Sequence, residues 1–107
     1  MISTELASAV LETKVTSVRE YGNEIEFFGE NFQSLGKYNT YEFANKCKKS
    51  ANICNGTYYY IKSHIVTDMR SEAILETYGS SFKRTFEEAT EPEAIIVARQ
   101  WMLENIG

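Results

Sequence analysis

Thr57-Tyr-Tyr-Tyr-Ile-Lys-Ser-His-Ile-Val-Thr67 reads as a β-strand. Tyr59, Ile61 and Ile65 fall on one side of it, and Tyr58, Tyr60, Lys62 and His64 fall on the other. The fold turns on what pairs with this strand and on what covers each of its faces.

Two glycine-led turns supply partners. Tyr21-Gly22-Asn23-Glu24 places glycine first in a two-residue loop, which suits a type II′ hairpin. Counting outward pairs Glu20 with Ile25, Arg19 with Glu26 and Val18 with Phe27, so Val18, Ile25 and Phe27 share the core face. Tyr78-Gly79-Ser80-Ser81 repeats the device. It sets Glu76 opposite Lys83 and Thr77 opposite Phe82, and joins strands over 72–78 and 81–88. A competing reading makes Ser71 to Tyr78 a helical turn closed by Gly79; the hairpin is preferred.

Helices frame these strands. Asn39 and Glu42 have capping-box spacing and open a central helix, expected to run to the Asn55-Gly56 stop. Thr90 and Glu93 repeat that spacing, Pro92 falls in the first turn, and Ile95, Ala98, Met102 and Ile106 recur at helical intervals. Val97, Trp101 and Leu103 broaden the stripe, so this C-terminal helix is expected to lie across the sheet and close the core. Ser3 is placed to cap one short turn carrying Leu6, Ala9 and Val10. Residues 30–39 read as an irregular surface connection. The expected fold is therefore a single α+β domain over 1–107, with one antiparallel sheet of about four to five strands packed against a central and a C-terminal helix. The strand-then-capped-helix ending from Phe82 to Ile95 resembles that of many small accessory proteins of phages and mobile elements. It spans under a fifth of the chain, is physically generic and assigns no family.

Composition narrows the function. With 107 residues, 43% apolar and 24% charged, the chain has the makings of a folded core and no room for a second domain. The net charge of −4 is unevenly spread. Residues 1–30 and 68–107 are acidic, whereas residues 31–67 carry Lys37, Lys46, Lys48, Lys49 and Lys62 against Glu42 alone. Tyr38, Tyr41, Tyr58, Tyr59 and Tyr60 lie in that same middle. The first residues lack a basic region and a long apolar run, so a cytoplasmic protein without a membrane partner is expected.

No motif carries chemistry. Cys47 and Cys54 read as two residues of one helix, facing the same way and roughly 10 Å apart, beyond disulfide reach unless the helix ends early. Two cysteines and one distant histidine do not make a zinc site. The isolated glycines form no phosphate loop, and neither metal nor cofactor is expected. His64 is the only histidine, and no nucleophile or carboxylate is placed by motif to complete a triad around it. Glu87, Glu88, Glu91 and Glu93 straddle a helix start, where the macrodipole favours negative charge.

The remaining feature is the outward set Tyr58, Tyr60, Lys62 and His64, joined by Lys46 and Lys49 as candidate partner-binding residues. Aromatic bodies with polar tips beside a cation suit recognition, unless a helix covers them. The sequence thus predicts a non-enzymatic module that binds a larger protein, its acidic flanks suiting a basic surface, as inhibitor, immunity or anti-defence factors do. The alternative is a nucleic-acid or anionic-ligand binder using Lys46, Lys48, Lys49, Tyr58, Tyr60 and Lys62, including as a homodimer in which an acidic flank meets a basic middle. A small enzyme using His64 ranks third.

Overall fold

The computed structural model of the chain describes residues 2–51, 53–54, 56–79 and 81–106, with Ile53 and Cys54 described by their backbone alone. In chain order these form α1 (Thr4–Leu11), β1 (Ser17–Tyr21), β2 (Glu24–Phe28), a 3-10 turn (Glu30–Phe32), β3 (Ser34–Asn39), α2 (Thr40–Ser50), β4 (Ile53–Cys54), β5 (Thr57–Thr67), β6 (Arg70–Thr77), β7 (Lys83–Glu88) and α3 (Glu91–Asn105). The chain is α+β, as its patterning predicts. The expectation of one sheet is corrected: the strands divide into two antiparallel sheets, β1-β2-β3 and β4-β5-β6-β7, the latter three-stranded but for the two-residue β4.

The hairpin registers follow the turns. Val18 pairs with Phe27, Arg19 with Glu26 and Glu20 with Ile25, and Gly22 takes the positive φ of 63° that the first position of a II′ loop demands. Glu76 pairs with Lys83, so residues 70–77 are strand and not the competing helical turn; the register ends at that pair, without the expected pairing of Thr77 with Phe82, and Ser80 of the expected turn lies outside the described residues. Strand β3 overturns the reading of 30–39 as irregular. Gly36 lies opposite Phe27 while Ser34 lies opposite Phe28, so Leu35 is a bulged residue. That bulge separates Leu35 from Tyr38 by three positions and erases the period-two signal.

The helix caps form largely as the sequence implies. The Asn39 side chain accepts from the Glu42 backbone N–H at 2.8 Å, and the Glu42 carboxylate accepts from the Asn39 N–H at 2.8 Å. At α3 the Thr90 hydroxyl accepts from the Glu93 N–H at 3.4 Å and donates to the Glu93 carboxylate at 2.9 Å, so the reciprocal backbone bond of a full box is replaced by a side-chain pair. Ser3 caps a helix of two turns, more than the single turn expected, and Leu6, Ala7 and Val10 are its buried residues.

Helix α2 stops at Ser50, short of the expected Asn55-Gly56 stop. Cys47 and Cys54 therefore do not share a helix. Cys47 is a free thiol in the core, and burial pushes its pKa up to about 12 against the lowering influence of the Arg99 guanidinium. The Cys54 side chain and Asn55 lie outside the described residues.

Both sheets turn one face to the helices. Ile25 and Phe27 of β2 are buried, with the Phe27 ring 5.1 Å from that of Phe43 on α2 and 5.6 Å from that of Tyr38 on β3. From the second sheet, Ile61, Ala73 and Leu75 are buried against α3. Helix α3 touches α1, α2 and three strands, and buries Pro92, Ala94, Ile95, Ile96, Ala98, Arg99 and Met102. The buried band keeps Ile95, Ala98 and Met102 of the expected stripe but widens through Ala94, Ile96 and Arg99, whereas Val97, expected to broaden it, is exposed. The shortest dimension of the molecule, 17 Å, holds one helix layer and one sheet layer at the roughly 10 Å spacing of packed elements. Among the described residues, no helix is long and apolar enough to cross a membrane.

Candidate functional site

Strand β6 shows how the second sheet is covered. Ser71, Ala73, Leu75 and Thr77 are buried, whereas Glu72, Ile74 and Glu76 between them are not. The helices therefore back one face only. Tyr60, Lys62 and His64 pair with Glu76, Ile74 and Glu72, and cross-strand partners share a face. The set Tyr58, Tyr60, Lys62 and His64 accordingly stands together on the open face.

Tyrosines gather at one end of that face. The rings of Tyr58 and Tyr78 lie 5.3 Å apart, those of Tyr60 and Tyr78 5.1 Å, and those of Tyr58 and Tyr60 6.5 Å, all tilted. Tyr78 is 73% exposed and Tyr58 44%. The backbone fixes this cluster, because the Tyr78 N–H donates to the Tyr58 carbonyl at 3.2 Å just where β6 ends. Rings at such separations attract one another through offset and edge contacts and leave broad apolar surface toward water.

The rest of the face is a lattice of opposite charges. The Tyr60 hydroxyl donates to the Glu76 carboxylate at 2.5 Å, and Lys62 Nζ meets the same carboxylate at 3.3 Å while lying 5.7 Å from the Tyr60 ring centre. The hydrogen bond from Tyr60, with help from Lys62 and Lys83, holds the Glu76 carboxyl below its usual range despite some desolvation. That bond and the adjacent negative charge hold the Tyr60 phenol above its own. Farther along, His64 Nε2 lies 3.0 Å from Glu72, and Arg70 spans Glu72 at 3.4 Å and Glu87 at 3.3 Å.

Two residues of the predicted set lie apart from this face. Lys46 on α2 sits over the Tyr38 ring, 5.4 Å from its centre. Lys49 shares with Lys46, Ser50, Glu12 and Arg99 a shallow polar depression between α1, α2 and α3, where the Arg99 Nε–H donates to the Ser50 hydroxyl at 2.9 Å. The basic middle of the sequence is thus dispersed, with Lys37 opposite Glu26 on the first sheet, Lys46 and Lys49 on α2, and Lys62 on the second sheet.

Ile65, expected to point inward with Tyr59 and Ile61, is 68% exposed. Among the described residues, strand β4 pairs with Thr57 and Tyr58 alone, the β5–β6 register shifts between Ile65 and Thr67, and residues 64–70 at this end of the sheet are all exposed. Sequence reasoning also missed Tyr78, Glu72 and Glu76 as neighbours of the tyrosines. The signal that could have found them is the β5–β6 pairing, but its Asp68-Met69 loop carries no glycine to announce a hairpin. No group of three or more histidine, cysteine, aspartate or glutamate side chains that could hold a metal ion occurs among the described residues.

Comparison with known protein families, with curated proteins and with solved structures gave no match.

Proposed function

We propose that the chain is a non-enzymatic protein-binding module that blocks or regulates a larger partner, as inhibitor, immunity and anti-defence factors do, and that Tyr58, Tyr60 and Tyr78 anchor the contact. The observation that carries this reading is the uncovered tyrosine cluster on a helix-backed sheet. Tyrosine side chains bury much apolar area for little lost rotamer freedom, and for that reason they recur as interface anchors.

The charges of the same face favour a protein over a nucleic acid. Lys62, His64 and Arg70 each face a carboxylate, which lowers the potential available to phosphate. Lys46 and Lys49, which a phosphate-binding stripe would recruit, stand on α2.

Affinity capture of the tagged protein from its native host, read by mass spectrometry, tests the proposal. A stoichiometric protein partner is expected with the unaltered chain and is lost with the Tyr58→Ala, Tyr60→Ala double variant. Recovery of no stoichiometric partner sinks the reading. Binding of single-stranded oligonucleotides at low salt, abolished by the same double variant, replaces it with the nucleic-acid reading. Loss of a host phenotype on His64→Ala with partner capture intact would point instead to chemistry at His64.

A further inference from the structure

Between the β1–β2 hairpin and the β7–α3 corner lies a groove of 310 Å³. Its floor includes Ile2, Ile25, Phe86, Ile96 and Trp101, contributed by the segment before α1, both sheets and α3. Glu20, Glu88, Glu93 and Glu104 stand around that floor, and no lysine, arginine or histidine is among the described residues that line it.

Among the described residues, no ion pair reaches these four carboxylates. Glu20 accepts from the Ile2 backbone N–H at 3.0 Å, Glu93 from the Thr90 hydroxyl at 2.9 Å and Glu104 from the Gln100 amide at 3.0 Å. All three donors are uncharged. The ion pairs among the described residues are made by other acids, namely Glu30, Glu72, Glu76 and Glu87. The Arg84 guanidinium lies over the Trp101 ring, 4.7 Å from its centre, and over the Phe86 ring, 5.7 Å from its centre, but Arg84 does not line the groove.

Four like charges around a low-dielectric floor focus a negative potential into it. An anion is repelled there, and a neutral apolar ligand leaves the carboxylates unused. The volume is at the low end of ligand clefts, roughly 300–1,000 Å³, and suits one large side chain as an anchor. We propose that this groove docks a lysine- or arginine-rich amphipathic segment of a partner protein. An apolar side chain seats on Phe86 and Trp101, and flanking cations face Glu88 and Glu104. The proposal rests on the protein-binding reading but uses a different surface from the tyrosine face.

Trp101 is the only tryptophan, so its fluorescence reports the groove directly. The probe is a blocked amphipathic peptide of leucine and arginine, about three turns long, with a counterpart in which glutamate replaces arginine. The arginine peptide is expected to shift Trp101 emission saturably. Its affinity should fall about tenfold or more as ionic strength rises from about 0.01 M to about 0.5 M. Glu88→Lys with Glu104→Lys is expected to weaken it roughly a hundredfold, while Glu30→Lys with Asp68→Lys, the same change in net charge away from the groove, stays within about threefold.

Should the charge-reversed variant fail to fold by circular dichroism, Glu88→Gln with Glu104→Gln replaces it, with a loss of about tenfold expected. The absence of a saturable shift, equal binding of the glutamate peptide, or equal weakening by both double variants overturns the proposal. So does a concentration-dependent self-association in ultracentrifugation that moves Trp101 emission without peptide. If the peptide fails while tyrosine-dependent partner capture survives, the groove reading alone falls; loss of that capture strikes the broader reading.

Discussion

The two sheets solve the same problem differently. Sheet β1-β2-β3 buries Ile25 and Phe27 against α2, and its other face carries small local contacts: Arg19 over Phe28, and Glu26 accepting from Tyr21 and Ser34. Sheet β5-β6-β7 buries Ile61, Ala73 and Leu75 against α3, and its other face carries the tyrosine cluster and a chain of ion pairs. Where residues of the segment before α1, both sheets and α3 line the acidic groove, its carboxylates make no ion pair among the described residues. Charge compensation on one surface and its absence on the other mean that the net charge of −4 says little until it is located.

Both sheets contribute to one hydrophobic cluster, so their largest perturbations should be felt together. Phe27→Ala is expected to cost about 3–5 kcal/mol and Leu75→Ala about 2–5 kcal/mol. Each should shift a single cooperative transition followed in parallel by near- and far-ultraviolet circular dichroism. A Phe27→Ala protein that melts in two steps would break the comparison, showing that the β1–β3 sheet stands on its own.

Asn39 ends β3 and caps α2, joining the first sheet to the helix layer. Its replacement by alanine is expected to cost about 1 kcal/mol in urea unfolding; a change within error would mean that the box adds nothing to what packing of Phe43 already secures. On the second sheet, Glu72→Gln removes the charge that faces both His64 and Arg70. Exposed pairs contribute little, so a loss under about 1 kcal/mol is expected, shrinking further in high salt. A larger, salt-insensitive loss would mark the lattice as a structural keystone rather than a recognition surface.

The smallest effect should come from Tyr60→Phe, and its signature is in pH dependence. Because Glu76 is held below its ordinary pKa, its contribution is complete above the unfolded carboxylate value and is lost as pH falls through the folded one. Tyr60 is held above its ordinary value, so its contribution is complete below the unfolded phenol value and is lost as pH rises through the folded one. The stability difference between the original chain and Tyr60→Phe should therefore narrow at both extremes. Parallel stability curves across the whole range would show that the Tyr60–Glu76 bond does not contribute to folding.

Much of this architecture is legible from local chemistry. Gly22 and Gly79 announce two hairpins and fix their registers by counting, because loop length and alternation leave little freedom. Asn39, Glu42, Thr90 and Glu93 announce two helix starts, because orphan backbone donors need side-chain acceptors at fixed offsets. Strand β3 was hidden by the bulge at Leu35, and the β5–β6 pairing by a turn without glycine. The early end of α2 was hidden because the chain offers no glycine until Gly56.

By itself, then, the sequence determined the α+β class, two registers, three caps and the strand face that carries Tyr58, Tyr60, Lys62 and His64. Only the tertiary structure decided that the strands divide into two sheets, that this face stays open, that Tyr78 completes it and that Lys46 and Lys49 stand elsewhere. It also decided where Glu20, Glu88, Glu93 and Glu104 meet. Turns and caps act over a few residues, where covalent geometry and nearby donors suffice. Coverage of a face and convergence of charges depend on segments far apart in the chain, whose positions are set by how both sheets pack on the helices.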